Sequence, residues 1–412
     1  MSNDHRVRQA MDLGNRLMTQ GQHEEAAAAY GDALAAQGDA PSEKILFHLG
    51  DALRATGMAD HAKTAFTTAL GVEPDGVLGE IGLGDLLREA GDGVGALRRY
   101  ANADAKGTTK NLPPSRLASL LNEAAPNWHF PMMNDRPRNE AFQQAIEAAV
   151  QPGMVVLDIG AGSGLLALIA ARAGAEHVYA CESNAPIAEA ARQIVAANGL
   201  TERITVIEKQ STMLVVGKDL PRRADLLTSE VFDVSVFGED ALFTLRHARR
   251  ELLEPGAPTI PSGVRVWAVP VHGDALRSRF EVGDVCGFDL SVFNRLADRR
   301  VFQLRVDEVA HTALADPFVA LEMRLDQEVP LAGDSLSTVE INAAGRLDGF
   351  IFWYELLLDD ERVLSTAPDQ PSTHWRQGFL PDVSGDTVLR AGQAIDVCTA
   401  FRRRIIWFEV RV

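Results

Sequence analysis

The sequence predicts a multidomain chain: an α-helical repeat array, then a doubly wound α/β domain, then an antiparallel β-barrel domain. Three observations predict it. Helical segments recur with one residue pattern through the first third. Short apolar runs then alternate with helical runs as far as Leu253. Beyond Pro261 the texture changes to alternating strands separated by Gly and Asp turns. A length of 412 residues fits two or three domains, at ~150 residues each.

Composition sets the class. A hydrophobic fraction of 46% with 24% charged residues suits packed cores. Lys and Arg number 40 and Asp and Glu 57, a net charge of −17. That sign opposes direct binding of nucleic acid and favours a basic, Arg- or Lys-rich partner. Cys181, Cys286 and Cys398 lie far apart and form no metal-binding spacing and no disulfide framework, so no metal and reduced thiols are expected. The Met1–His5 start has no apolar signal core, and no window reaches the ~18 apolar residues of a membrane span. A cytoplasmic protein without membrane contact is the expectation.

The repeats come first. Leu13-Gly14, Leu49-Gly50 and Leu83-Gly84 are spaced 36 and 34 residues apart. Each pair is followed at matching offsets by an apolar residue (Leu17, Leu53, Leu87) and an alanine (Ala26, Ala62, Ala96). An aromatic (Tyr30, Phe66, Tyr100) and a second alanine (Ala33, Ala69, Ala103) come next. Gly21, Gly57 and Gly91 separate two helical runs in each unit. Small residues let paired helices approach while the aromatic fills the groove to the next pair. The pattern resembles tetratricopeptide (TPR) repeats over 1–110. Such stacks present a surface that holds protein segments, so a repeat-bound protein partner is expected. Gly107, Pro113, Pro114 and Pro126 mark a linker over 111–126 with one short helix.

The α/β domain is expected over 127–262. A helix runs from Arg138 to Val150, and Met154 to Ile159 reads as a buried strand. Leu165–Arg172 reads as helix, His177–Cys181 as strand, Pro186–Ala197 as helix and Ile204–Glu208 as strand. Ala224–Thr228 is a further strand, and His247–Leu253 lies on a helix. The alternation implies a parallel, Rossmann-like sheet. The barrel domain is expected over 263–412. It opens on Val264–Val269 and closes on Ile405–Val410.

Val155–Gly164, VVLDIGAGSG, ends a strand and opens a helix. Gly160, Gly162 and Gly164 let the backbone approach a ligand closely. A dinucleotide fingerprint needs glycine at 165, where Leu165 stands, which disfavours a nicotinamide enzyme. The GxGxG run with Asp158 before it resembles motif I of S-adenosylmethionine methyltransferases. That cofactor needs an acid for its ammonium and another for its ribose. Glu182, ending the second strand, stands where the ribose acid is expected. Gln210 and Ser211, after the third strand, are placed to meet the adenine.

Glu230 and Glu239 lie nine residues apart in the run that follows the fourth strand, at the carboxyl edge of the sheet. Two glutamates converging from one loop suit a guanidinium, planar and with five donors. Paired charge-assisted hydrogen bonds would fix its plane. Read alone, the pair is better explained as two surface acids on a loop.

Two further runs decide otherwise: Asn127-Trp128-His129-Phe130-Pro131-Met132-Met133-Asn134-Asp135-Arg136-Pro137-Arg138-Asn139, and Pro371-Ser372-Thr373-His374-Trp375-Arg376-Gln377. With motif I and the double-glutamate loop they resemble the protein arginine methyltransferase family, in order, from about 127 to the end. The repeats in front resemble the subfamily with N-terminal TPR units. The resemblance implies that Arg138 meets the cofactor carboxylate, Asp158 its ammonium and Glu182 its ribose. It implies that Glu230 and Glu239 clamp the substrate arginine, that Asp135 and His374 pair across the two domains, and that Met132 and Trp375 flank the substrate. A dimerisation arm is implied around 274–300, about Gly287–Ser291, and with it a homodimer or pseudo-dimer.

The implied reaction is transfer of a methyl group from S-adenosyl-L-methionine to a guanidinium nitrogen of an arginine-containing protein or peptide, leaving S-adenosyl-L-homocysteine. Two alternatives stay open. One is a small-molecule methyltransferase on the same sheet, and the other is a TPR scaffold with an inactive methyltransferase module. Members that make asymmetric dimethylarginine carry a methionine two residues after the second clamp glutamate. Ala241 stands there, so the resemblance implies monomethylarginine or the symmetric dimethyl form, with monomethylation favoured by Met132.

Overall fold

A computed structural model describes residues 3–38, 41–106, 126, 128–297, 300–370, 373–383 and 387–411. Asn127, Pro371, Ser372 and the linker predicted over 111–126, apart from Pro126, lie outside the described residues. The chain divides into two compact units. One comprises 1–127 with 184–189, the other 128–183 with 190–412.

Among its described residues the first unit holds six helices: α1 (Asn3–Thr19), α2 (His23–Gln37), α3 (Glu43–Ala55), α4 (Ala59–Val72), α5 (Leu78–Glu89) and α6 (Gly93–Ala105). They pack as successive pairs, and the glycine of each Leu-Gly pair explains why. A Cβ on Gly14 or Gly50 would sit 2.5 Å from the ring of Tyr30 or Phe66, and one on Gly84 would run into Tyr100. Each aromatic therefore lies flat on the bare backbone of its own partner helix. It also reaches the next pair: Tyr30 stacks on His48 at 5.4 Å, and Phe66 covers Gly82. The hydroxyls of Tyr30 and Tyr100 donate to Asn15 Oδ1 and Asp85 Oδ1 at 2.8 and 2.9 Å, so two polar tips buried at the same place in their units are satisfied alike. Between pairs, the buried carboxylate of Glu43 accepts from the amides of Leu78 (2.7 Å) and Gly79 (3.3 Å), satisfying free donors at the start of α5.

The second unit opens with α7 (His129–Met133) and α8 (Arg136–Ala149). Asp135 caps α8, its carboxylate accepting from the Arg138 amide at 3.1 Å, and Pro137 in the first turn removes a donor that would lack a partner. Then follow β1 (Val155–Ile159), α9 (Leu165–Ala173), β2 (His177–Glu182), α10 (Ala185–Ala197), β3 (Ile204–Glu208), β4 (Leu226–Ser229), α11 (Ala241–His247) and β5 (Thr259–Ile260). The five strands form a parallel sheet in the order β3-β2-β1-β4-β5. All five β1 residues are buried, as a strand covered on both faces requires. The last helix begins at Ala241 and leads into the segment His247–Leu253 expected to lie on a helix. It continues into a wider π-type turn over Ala248–Leu252.

The remaining strands are antiparallel and barrel-like. β6 (Gly263–His272) is followed by a short α12 (Asp274–Arg277), a small hairpin of β7 (Asp284–Val285) and β8 (Phe288–Asp289), and a 3₁₀ stretch, Ser291–Leu296. Then come β9 (Phe302–Leu304), β10 (Thr312–Ala313), β11 (Phe318–Arg324), β12 (Ala332–Glu340), β13 (Gly345–Arg346), β14 (Gly349–Leu357), β15 (Val363–Ser365), β16 (Gln377–Pro381), β17 (Val388–Leu389), β18 (Ala394–Arg402) and β19 (Ile405–Arg411). β6 and β14 pair along nine residues at the centre of the largest sheet, and β12, β18 and β19 form a second. The root of the 274–300 segment is fixed by Asp348, fully buried. Its carboxylate accepts from the Gly273 amide (2.7 Å), Arg277 Nη1 (3.1 Å) and Arg346 Nε (2.6 Å), and it pairs with His272 Nδ1 (2.8 Å). Burial alone would raise the Asp348 pKa, but Arg346, the Gly273 amide and Arg277 hold it below the ordinary range.

A paired substitution tests the helix-pair packing. Gly50→Ala should destabilise the protein, by ~1–3 kcal/mol for overpacking. Gly31→Ala, inside α2 with nothing near its added methyl, should stabilise it by ~0.5–1 kcal/mol. Thermal unfolding of the two variants checks the opposite signs.

Candidate active site

The carboxyl edge of the parallel sheet collects the predicted residues. Asp158 sits within β1, buried, with Oδ1 accepting from Thr228 Oγ1 of β4 at 3.0 Å. The two residues are opposite each other in the ladder. Asp158 Oδ2 has no hydrogen-bond partner. Complete burial pushes this carboxyl up to about 7, against the pull of the Thr228 hydroxyl, the Ala167 amide and the Arg138 charge. A buried acid with a free oxygen and a raised pKa is suited to an incoming cation, which would return it to the ionised state.

Gly160, Gly162 and Gly164 have φ of 71°, 54° and 80°, and a Cβ on Gly160 would press on Val231 Cγ1 at 2.6 Å. These conformations are why glycine is required. The amides of Gly160 and Ala161 donate to the Cys181 carbonyl, and the Gly162 amide donates to Glu182 Oε2 at 3.0 Å. Glu182 thus holds the glycine loop from the end of β2. Gln210 is exposed and Ser211 half-buried, at the neighbouring end of β3.

Arg138, on the first turn of α8, is buried and reaches the double-glutamate loop. Its Nη2 meets Glu230 Oε2 at 2.7 Å, with both side chains 5% exposed. Nη1 donates to Asn139 Oδ1, the guanidinium lies 5.3 Å from the Phe142 ring centre, and Nε has no partner. The pairing with Glu230 was not foreseen from the sequence, because 92 residues separate the two.

The loop between the glutamates is knotted by Asp233. Its Oδ1 accepts from the amides of Ser235 and Gly238, each at 3.0 Å, and Oδ2 from Ser235 Oγ at 2.9 Å. Val236 and Asp240 have φ of 70° and 65°. For a β-branched residue that is a strained conformation, of a kind that clusters at functional sites. Glu239 is exposed at the end of this loop. Protein crowding its carboxyl, followed by the negative charges of Glu230, Asp233 and Glu182, pushes it up to about 7, while solvent at the open edge screens part of the repulsion.

His374 arrives from the loop before β16. Its Nδ1 lies 2.8 Å from Asp135 Oδ2, and its amide donates to the same oxygen at 2.7 Å. Burial would raise the Asp135 pKa, but the His374 ring and amide and the Arg138 amide hold it below the ordinary range. Trp375 donates from Nε1 to the Phe232 carbonyl at 3.0 Å, fastening this loop to the double-glutamate loop. Its ring meets Tyr354 edge-on at 6.0 Å, and Tyr354 is buried with an unpartnered hydroxyl. Burial and the charges of Glu230, Asp233 and Glu239 raise that phenol well above its usual pKa. Met132 is half-buried on α7.

Two family models match the chain. One is described as ribosomal protein L11 methyltransferase (PrmA), over residues 141–265, and the other as an arginine methyltransferase oligomerization subdomain, over 265–398. An arginine N(omega)-methyltransferase of Streptomyces achromogenes subsp. streptozoticus is 36% identical over 317 residues, covering 75% of this chain and 86% of that protein. The chain belongs to the protein arginine methyltransferase family. Protein arginine N-methyltransferase 9 of Xenopus laevis is 32% identical over 298 residues, which is 65% of this chain and 36% of that protein. The chain therefore spans only about a third of this longer relative. Among solved structures, a Trypanosoma brucei PRMT1 enzyme-prozyme heterotetrameric complex with AdoHcy shares the fold, with a TM-score of 0.61 and 22% identity over 71% of this chain and 94% of that one.

The family's methyl donor is S-adenosylmethionine, and the residues of this site fit it. The glycine loop offers close backbone approach, the free Asp158 oxygen suits an ammonium, and the unpartnered Arg138 Nε suits a carboxylate. Among the described residues, no helix is long and apolar enough to cross a membrane.

The raised Glu239 pKa has a consequence for stability. An acid whose folded pKa exceeds its unfolded value costs stability as pH rises between the two, here from about 4.5 to about 7, and the full cost persists above. Glu239→Gln removes it. The variant's gain in Tm over the parent should be larger at pH 8 than at pH 4.5, as differential scanning calorimetry at both values would register.

Proposed function

We propose that the chain methylates a guanidinium nitrogen of arginine in a protein or peptide, with Glu230 and Glu239 holding the guanidinium in one plane. The observation that carries this reading is the cluster of acids at the sheet edge, in which Glu239 is pushed up to about 7 by crowding and by Glu230, Asp233 and Glu182. A planar cation bound there relieves the repulsion. Asp158, Glu182, Gln210, Ser211 and the three glycines form the cofactor side, with Arg138 between the cofactor side and Glu230.

When bound, S-adenosylmethionine supplies a methyl group open to in-line attack by nitrogen. Arginine is protonated in water and its lone pairs are delocalised. The two carboxylates draw positive charge onto the nitrogens they contact and leave the remaining nitrogen richer in electrons. As that nitrogen gains the methyl group it sheds one proton. Glu239 accepts it at a carboxylate oxygen. Asp135 fixes His374, and Trp375 pins the facing loop, so positioning lowers the barrier further.

Around this core the remaining roles are assigned as follows. Residues 1–110 act as TPR repeats that recruit a protein partner, 127–262 bind the cofactor and 263–412 carry substrate contacts. The 274–300 segment is a dimerisation arm. Phe288, Val292, Phe293 and Leu296 are each 66–72% exposed there, an apolar patch suited to a second copy. Replacing Phe288 and Phe293 by serine should convert a dimer to a monomer in analytical ultracentrifugation, with β-sheet circular dichroism unchanged. Ala241, buried at the start of α11, gives the site the small residue that favours monomethylarginine or the symmetric dimethyl product.

A second reading rests on the Streptomyces relative, whose name gives arginine itself as the acceptor. The clamp would then hold the free amino acid.

One experiment tests both. The protein is incubated with isotope-labelled S-adenosylmethionine and either arginine-rich peptides or free arginine, and the products are resolved by mass spectrometry and amino-acid analysis. Labelled monomethylarginine in peptides supports the first reading, and label confined to free arginine supports the second. Asymmetric dimethylarginine as the main product would overturn the Ala241 argument. Glu230→Gln keeps an acceptor for Arg138, so S-adenosylhomocysteine should still bind within a fewfold while turnover falls by ~10²-fold or more. Collapse of that binding in a folded variant would remove Glu230 from the clamp.

A further inference from the structure

Asp240 separates Glu239 from Ala241 and stands in the left-handed region, at φ 65° and ψ 28°. That turn carries the chain from the loop into α11. The carboxylate of Asp240 is gripped from the far end of the sequence. Arg403 Nε donates to Oδ1 and Nη2 to Oδ2, both at 2.6 Å, and Arg404 Nη2 donates to Oδ2 at 3.0 Å. The Arg403 guanidinium also covers the Phe243 ring at 4.8 Å, one turn into α11. Arg403 itself has φ 53°, in the tight turn between β18 and β19, and its amide donates to the Leu331 carbonyl at 2.6 Å. Two strained turns thus face each other, joined by a bidentate fork.

We propose that Arg403, with Arg404, is a positioning residue for methyl transfer: the β18–β19 turn latches Asp240 and so sets the direction in which Glu239 faces. The inference rests on the reading of Glu239 as a clamp residue. Three features favour a latch over an ordinary surface ion pair. The fork is bidentate and fixes a plane, which a single contact does not. Arg403 touches both Asp240 and Phe243, on either side of the loop-to-helix junction. The gripped residue is covalently next to Glu239, so an anchor on its carboxylate acts directly on the backbone that carries Glu239. Lysine at 403 would supply charge without the fork.

The titratable groups facing Glu239 are Glu230, Asp233, Glu182 and, from β14, the buried Tyr354 phenol. A Glu239 released from the latch swings away from them into solvent. Its pKa then falls toward the ordinary carboxylate value, and the acid limb of the kcat/KM profile moves to lower pH.

The test uses the full chain with Arg403→Gln, Arg403→Lys, Asp240→Asn and the Arg403→Gln/Asp240→Asn double variant. Asparagine tolerates the left-handed conformation, so Asp240→Asn removes charge with little backbone effect. Each single variant should lower kcat/KM for an arginine peptide by about tenfold or more, with S-adenosylhomocysteine affinity unchanged within twofold. The double variant should be no worse than either single, since both act through one contact. Arg403→Lys should fall between the parent and Arg403→Gln. Unchanged kcat/KM, multiplied losses in the double variant, or a loss uniform across pH with an unmoved acid limb would each overturn the latch. A second readout is independent of turnover: carboxyl-carbon NMR titration of Glu239, assigned with Glu239→Gln. A midpoint that drops in Arg403→Gln supports the latch, and an unchanged midpoint overturns it. Should the parent methylate no arginine substrate, the functional reading fails, and the titration still decides the latch.

Discussion

The buried pair of Arg138 and Glu230 is the interaction on which the rest of the site depends. Among the described lysines and arginines, Arg138 alone is buried by residue accessibility. It stands within an edge crowded by Asp158, Glu182, Glu230, Asp233 and Glu239. Removing either partner of such a pair leaves an uncompensated charge, at a cost of ~3–5 kcal/mol. The pair also joins the start of α8 to the loop after β4, segments that the parallel sheet alone would not connect. One cation is not enough to balance five acids. Burial first, and then the neighbouring negative charges, raise the pKa values of Asp158 and Glu239, both to about 7. A site with this charge balance suits positively charged guests.

Acids do two different jobs here, and they come in neighbouring couples. Asp135 caps α8 and holds His374, three residues before Arg138. Asp233 ties the loop three residues after Glu230. Asp240 is gripped by Arg403 and Arg404 immediately after Glu239. In each couple an aspartate is occupied by donors and supports local geometry, while its neighbour, Arg138, Glu230 or Glu239, belongs to the charged cluster at the sheet edge. Donors hold Asp135 and Asp240 below the ordinary carboxylate range, so they stay ionised where Glu239 does not. Fixed anions beside a titrating one let the site change its proton content without changing its shape.

Local signals were readable in the sequence, and long-range pairings were not. The glycine and aromatic of each helix pair are 16 residues apart, and the structure puts each ring on its glycine, because a hairpin of fixed length fixes that contact. The glycine loop, Asp158 and Glu182 follow from one β-α-β unit, whose geometry is also local. The pairing of His374 with Asp135 spans 239 residues, and only a resemblance to other chains could have suggested it. Nothing in the run of Arg402, Arg403 and Arg404 says that two of them meet Asp240, since a surface arginine cluster reads as a solvated turn. Tyr354 was missed for a related reason: in an alternating strand an aromatic reads as core, and only the fold shows its hydroxyl among the carboxylates. The start of α11 escaped because Glu239 and Asp240 look like loop residues, and the left-handed Asp240 that begins the helix has no sequence mark.

Charge alone would admit any cation to this edge, so selection has to come from shape. An ammonium is a compact point charge that a single carboxylate can satisfy, and a second carboxylate adds little to its orientation. A guanidinium has donors along three sides of a plane and engages two carboxylates at once, each through a fork. The loop supplies two glutamates nine residues apart, each with its own fixed support: Arg138 behind Glu230, and Asp240 beside Glu239. Because the supports lie on different elements, a shift of either would, on the proposed reading, turn one carboxylate away from the guanidinium while leaving the net charge unaltered. In the proposed clamp it is this planar match, more than the acidity of the chain, that would separate arginine from the lysines and amines that the same electrostatic field attracts.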